Sequence, residues 1–557
     1  MAYPATRPIA SFRFILLLHV LFLLSYVMFM PAFEGADEPE HLRYIEAVYK
    51  GEKIHPIDTS DPRRYGIEVY QPPLYYHLAA WVAKAFPVVF PDHLAINPEK
   101  NPNRPFLVHD MAGEIFPFDG IRKTLRFFRM ISLLLGILAF IAFARVLALM
   151  MPENASAAAI ILLVAALWPN NLQMFSVVSN DGMAYLLSLT LILVFLHILK
   201  SDTASWKYGL CFGTTLAAGI LTKMTILLTV AALMPVLLAD VTLDRRRAGL
   251  YLRLLPAVFL PVLILCSPFI LSRTLWYGSP TAQKLHNILV PAVLRGRILS
   301  FGTLLSAMVS ILPGRFLADL CWQQMTLPFV SLQLFLLWFF SNLLFLVRVG
   351  TTGLKKLDRE KSLHRLWVAS AFVFMFLGLY GVFAKYVHLQ IRHVWNLWPM
   401  TLLAPCFLFQ GWPPLRQVNK ERVLSMIFAG VMLILVPVNI LVIYNFTRMY
   451  KPVEDATSPD LDYFVFMDCF AQSPLKATAY VDPSGRGDAA AYAYFARTGD
   501  WENVLYHACA AMQKGFRERE SRLMAVRALQ ALGRSGEEGS PCFSGPGGGI
   551  DTGPLLE

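Results

Sequence analysis

The chain has 557 residues, of which 56% are hydrophobic and only 16% charged, and its mean hydropathy is +0.51. This balance excludes a soluble globular protein of that size and implies a polytopic membrane protein. The net charge of +11 does not point to nucleic acid, because the basic residues are scattered between apolar runs with no basic domain, as positive-inside sorting produces.

The first apolar run, Phe12 to Phe33, is long enough to span and lacks the small-residue cleavage site of a secretory signal, so it is expected to be retained. Arg7 and Arg13 precede it, which places the amino terminus in the cytoplasm and the next segment outside. That segment begins Phe33-Glu34-Gly35-Ala36-Asp37-Glu38-Pro39-Glu40-His41. Pro39 suits the first turn of a helix, and Asp37 and Glu38 suit its cap, where free N–H groups and the helix dipole favour negative charge. Leu42, Ile45 and Tyr49 then fall on one face, with Arg43, Glu46 and Lys50 on the other, the pattern of a helix lying at the bilayer interface. The outer loop, 34–123, continues through Tyr70-Gln71-Pro72-Pro73-Leu74-Tyr75-Tyr76.

Spans two and three, about Leu125 to Met151 and Ala155 to Asn170, form a hairpin, after which Ser176 to Gly182 faces out. Span four covers Met183 to Lys200. The stretch Tyr208 to Asp240 must cross twice, with a break near Leu221-Thr222-Lys223, because Lys207 and Arg245 to Arg247 both belong inside. A seventh span, Leu250 to Ile270, opens a second outer loop, 272–328, that is basic on the unexpected side. Spans follow at Phe329 to Val347, Leu366 to Phe383, Leu397 to Gln410 and Val423 to Tyr444, with Gln390-Ile391-Arg392-His393 outside. Roughly 11 transmembrane helices in an all-α integral membrane fold satisfy every charged short loop. The resulting division is a membrane domain over 1–447, a small helical outer tail over 448–535 and a Gly- and Pro-rich disordered end over 536–557. In the tail, Ala489 to Arg497, Glu502 to Lys514 and Ser521 to Leu532 read as three helices, resembling a tetratricopeptide-type pair. Seven cysteines at irregular spacing give neither a metal motif nor a disulfide framework.

A first span followed by Asp37-Glu38, an interfacial helix, Pro72-Pro73-Leu74-Tyr75-Tyr76 and Ser179-Asn180-Asp181-Gly182 after the third span resembles the GT-C membrane glycosyltransferases, which include protein O-mannosyltransferases and aminoarabinose transferases. The opening Asp37-Glu38-Pro39 with His41 looks most like an uncharacterised bacterial membrane family. The resemblance covers about Phe12 to Tyr444 and leaves the tail outside. It implies a helical bundle that transfers a sugar from a polyprenyl-phosphate-linked donor to a lipid, glycan or protein acceptor on the periplasmic face of a bacterial inner membrane. By resemblance, Asp37 is the base, Glu38 positions the acceptor or a metal, and Asp181 is a second acid facing the first. Arg392, with Arg315, Arg297 and Lys223 behind it, would take the donor phosphate, since a departing phosphate needs fixed positive charge. Tyr70, Tyr75, Tyr76, His41 and His393 are candidate substrate contacts. A divalent cation, Mg or Mn, is the one cofactor the resemblance admits. Gln71 stands where the family often has His.

Plainer readings stay beside these. Asp37, Glu38 and Asp181 could serve only as helix caps, the basic residues could touch lipid headgroups, and the tyrosines could belong to an interfacial belt. A transporter or flippase of lipid-linked sugars and a non-catalytic envelope assembly protein are the alternative functions. The first would favour ionisable residues buried in mid-span.

Overall fold

The structure is a computed structural model. It describes residues 7–35, 37–57, 64–91, 94, 116–118, 120–203, 205–280, 316–317, 319–320, 325–326, 328–352, 358–385, 391–409, 420–449, 488–489, 493, 496, 501–513 and 518–532. It divides into two units, one built from 1–91, 101–288 and 296–452, the other mainly from 453–557.

In the first unit, α1 (Arg7–Phe29) leads into α2 (Glu38–Lys50) and α3 (Leu74–Ala83). Then come α4 (Gly120–Met150), α5 (Ala155–Leu167), the short α6 (Pro169–Met174), α7 (Asp181–Lys200), α8 (Trp206–Thr222), α9 (Ile226–Leu243) and α10 (Arg246–Tyr277). The series closes with α11 (Pro328–Thr352), α12 (Arg359–Lys385), the short α13 (Trp398–Thr401) and α14 (Leu403–Phe409), and α15 (Lys420–Met449). A two-residue ladder, β1 (Asp319–Leu320) with β2 (Met325–Thr326), is antiparallel, Asp319 facing Thr326. Among the described residues eight helices are long and apolar enough to cross a membrane. The chain is a multi-pass membrane protein. The other three expected spans coincide with α5, of 13 residues, α8, of 17, and the interrupted run 391–409. The break expected near Lys223 falls at 223–225, between α8 and α9.

Packing follows from small residues and apolar stripes. Gly209 and Gly213 on α8 lie against Ala257 and Val258 on α10, where any Cβ would collide with the neighbouring helix, so these two backbones approach closely. Pro256, Pro261 and Pro268 sit inside α10 without ending it, as prolines do in membrane helices where neighbouring groups and local adjustment of the backbone satisfy the carbonyls they free. Within α2 the expected division holds in part: Leu42 and Ile45 are buried and Lys50 is exposed, pairing with Glu46 at 2.6 Å, but Tyr49 is only half-buried, as are Arg43 and Glu46 on the opposite face, and Tyr44 is buried as well. At the end of α7 remote from Asp181, the fully buried Asp240 accepts from Arg247 Nε at 3.0 Å, Tyr251 OH at 2.5 Å and Arg359 Nε at 2.6 Å, tying three helices together.

In the second unit, α16 (Trp501–Gln513) and α17 (Glu518–Ala531) pack through Val504, Ala508, Ala511, Ala525 and Ala528. His507 Nδ1 meets Asp488 at 2.8 Å in the interior. Cys509 is disulfide-bonded, which the cysteine spacing did not suggest.

Candidate active site

The start of α2 is not capped in the expected way. Asp37 occupies the N-cap position in the left-handed region, φ 64°, a conformation that Asp tolerates better than most residues. Its carbonyl accepts from the His41 N–H at 2.9 Å, but its carboxylate makes no cap hydrogen bond. That carboxylate instead pairs with Arg392, whose Nη2 donates to Oδ2. Arg392 lies in the 3-10 segment Ile391–Leu397, more than three hundred residues away in sequence. Its segment is pinned by Asn396, which donates to the Thr225 carbonyl at 3.0 Å and Thr229 Oγ1 at 2.9 Å.

Asp181, the first residue of α7, is likewise not a cap. Lys223 Nζ donates to its Oδ1 at 2.5 Å, and Arg392 Nη1 stands 4.0 Å from its Oδ2. Lys223 is placed by the turn between α8 and α9, and Asn180 Nδ2 ties the Asp181 loop to that turn through the Thr222 carbonyl at 3.0 Å. Two carboxylates and two cations from four separate stretches therefore interlock, with no net charge when all are ionised.

Glu38 does not share that space. Its side chain is fully buried, as is that of Arg129 from α4. Arg129 donates to both carboxylate oxygens, at 2.9 and 2.6 Å, and to the carbonyls of Met30 and Pro31. The remaining lone pairs of Glu38 accept from Val178 N–H at 2.9 Å and Gly35 N–H at 3.2 Å. The expected contact with an acceptor or a metal is replaced by a brace joining α1, α2, α4 and the loop before Asp181.

His41, Tyr75 and Tyr76 are also buried. Tyr76 stacks on Tyr44 at 3.9 Å and its hydroxyl meets His41 Nδ1 at 2.9 Å, so this cluster joins α2 to α3 and is not an open sugar shelf. Burial lowers the His41 pKa to about 3 against the opposing pull of Asp37 and Asp181, keeping the ring neutral. Tyr70 is half-buried and its hydroxyl accepts from Gln71 Nε2 at 3.0 Å. Arg297, Arg315 and the side chain of His393 lie outside the described residues. No three His, Cys, Asp or Glu side chains converge among the described residues, and Asp37 and Asp181 are each held by a cationic side chain. These groups, so arranged, do not compose a divalent cation site.

Three residues of the site were missed in the sequence. Glu68, on the 3-10 turn Ile67–Tyr70, is 6% exposed and its Oε2 has no hydrogen-bond partner. Burial first, then Asp37, pushes its pKa up to about 8, against the pull of Lys223, Arg392 and Gln71. A lone acid in the apolar run Gly66-Ile67-Glu68-Val69 was the available signal. Arg129 offered a similar one, a charge at the mouth of a span. Arg273, near the end of α10, donates to the carbonyls of Tyr70 and Gln71 and fastens the loop before α3, a role nothing in the sequence announced.

An apolar groove of about 490 Å³ runs between α5, α11, α14 and α15, lined among others by Asn154, Ile161, Trp168, Trp338 and Val431. Asn154 precedes α5 and Trp168 follows it, so the groove extends along its 13 residues, about 20 Å. The Trp168 ring lies 5.0 Å from Trp398, which stacks at 4.5 Å on Trp395, three residues beyond Arg392. One end of the groove thus abuts the segment that presents Arg392.

No protein-family model and no curated protein matches the chain. Among solved structures it is similar to the apo oligosaccharyltransferase of Archaeoglobus fulgidus, at 13% identity and TM-score 0.48, over 83% of this chain and 60% of that one. The same archaeal protein tethered to an acceptor peptide gives 12% identity and TM-score 0.48, over 85% and 59%. ArnT from Cupriavidus metallidurans bound to undecaprenyl phosphate gives 14% identity and TM-score 0.43, over 95% and 78%. The chain spans about three fifths of the length of the oligosaccharyltransferase. At these values none of the likenesses transfers an activity or a ligand to this chain.

Proposed function

We propose that the protein is a membrane glycosyltransferase that passes a sugar from a polyprenyl-phosphate-linked donor to an acceptor at the outer face of a bacterial inner membrane. The observation that carries this reading is the interlocked set Asp37, Arg392, Asp181 and Lys223, together with a groove lined by apolar side chains whose Trp168 end abuts the segment that bears Arg392. A long isoprenoid needs such a groove, and its phosphate needs fixed cations where the chain ends. Two preformed cation–carboxylate pairs supply them without leaving bare charge near the membrane when no donor is present.

Arg392 and Lys223 receive the phosphate and stabilise the negative charge that grows on it as the sugar departs. Asp37 and Asp181 hold those cations in line and offer oxygens to the incoming acceptor. A carboxylate paired with a guanidinium is a weaker base than a free one, so electrostatic positioning is the main work of Asp37. The disulfide at Cys509 suits a tail in an oxidising compartment, in keeping with the outward orientation expected from the placement of basic residues.

The test is transfer in membranes carrying the full chain and a polyprenyl-phosphate sugar. Asp37→Asn is expected to fold, keep its abundance and lose transfer. Arg392→Ala is expected to lose both donor affinity and rate. Wild-type transfer by both variants would remove this site from the chemistry.

A further inference from the structure

Among the described residues, Glu68 has no cationic side chain bonded to it, unlike Asp37, Glu38 and Asp181, and the fold holds it firmly. Glu40 Oε2 accepts from the Ile67 N–H at 2.7 Å on one side of its turn, and Arg273 holds the Tyr70 and Gln71 carbonyls on the other. Gly66, at φ +83°, lets Glu40 come that close, since a Cβ there would stand 2.8 Å from Glu40 Oε2. The result is a carboxyl that is almost wholly buried, has an unpartnered oxygen and lies within electrostatic reach of Asp37, Lys223 and Arg392.

We propose that Glu68 is the general base of the transfer, taking the acceptor's proton on Oε2. This rests on the glycosyltransferase reading above. In the step, the acceptor oxygen bonds to the anomeric carbon and the bond from that carbon to the phosphate oxygen breaks. The electron pair leaves with the carrier phosphate, and the acceptor proton passes to the Glu68 carboxylate, which later yields it to water. Asp37 and Asp181 are less suited to this, because each already neutralises a cation. The charged and titratable groups that face Glu68 are Asp37, which disfavours its charged form, Lys223 and Arg392, which with the Gln71 amide favour it, and Tyr76, a phenol that burial and the Glu68 charge keep neutral. Burial is the largest influence and brings its pKa close to working pH, where a base is most effective.

The experiment uses the purified full chain and two readouts. In an infrared pH titration, the wild type is expected to lose a protonated-carboxyl band as pH passes about 8, and Glu68→Gln is expected to lack that band. A band that survives in Glu68→Gln overturns the assignment. With a synthetic polyprenyl-phosphate sugar, wild-type kcat is expected to rise with pH through the same region. Glu68→Gln should lower kcat by about 100-fold or more with the donor KM unchanged, while Glu68→Asp retains part of the rate with a displaced pH limb. Wild-type rates in Glu68→Gln would overturn the base role. Absence of transfer by the wild type would overturn the glycosyltransferase reading and the base role with it, while the infrared titration would still decide whether Glu68 holds the proton.

Discussion

Replacing Glu38 by Gln separates a brace from a catalytic group. In the wild type, Oε1 accepts from Arg129 Nε at 2.9 Å and Val178 N–H at 2.9 Å, and Oε2 from Arg129 Nη2 at 2.6 Å and Gly35 N–H at 3.2 Å. A Gln amide can accept on one side only, so two donors would face its NH₂ group, and the buried Arg129 would lose its counter-charge. Removing one partner of a buried ion pair costs about 3–5 kcal/mol, most of it from the charge left behind. Arg129 keeps the Met30 and Pro31 carbonyls at 2.7 and 2.8 Å, which favours the lower end of that range. The double variant Glu38→Leu with Arg129→Met removes both charges and is expected to be more stable than the two single losses would sum to, by about 1–3 kcal/mol. Denaturant or thermal unfolding in detergent reads the stabilities, and transfer by the folded fraction reads the chemistry. A Glu38→Gln protein as stable as the wild type but inactive would refute the brace and return Glu38 to the reacting centre.

Other outcomes follow from the same contacts. Asp240→Asn breaks the buried node with Arg247, Arg359 and Tyr251 and is expected to cost about 3–5 kcal/mol, while leaving the donor KM of the folded protein unchanged. Ile161→Trp puts bulk into the apolar groove and should raise KM for long-chain polyprenyl donors more than for short-chain ones, as steady-state kinetics on a chain-length series would show. His41 has a pKa below its unfolded value, so the unfolded chain binds the extra proton between about 3 and 6.5, and stability present above that window falls as the pH drops through it. The loss reaches about 2 kcal/mol by pH 5 and should be absent in His41→Gln, as unfolding measured across acid pH would reveal.

Local patterning was enough for much of this protein. Apolar runs and the placement of Lys and Arg marked the spans, because a membrane leaves a helix few other ways to satisfy its backbone, and the break at Lys223 followed from charge alone. The α2 face was equally legible, since Leu42 and Ile45 recur at helical spacing. Asp37, Asp181, Arg392 and Lys223 could be singled out as candidate chemistry, but which acid meets which cation could not, because those pairings join stretches from four parts of the chain. Glu38 shows the difference most clearly. It is adjacent to Asp37 and identical in charge, yet one turn of backbone geometry sends Asp37 toward Arg392 and Glu38 inward to Arg129. Glu68 and Arg273 gained their meaning only through burial and neighbours far along the chain. Periodicity and charge act over a few residues and so can be read directly, whereas desolvation and ion pairing depend on what the folded chain packs around each group.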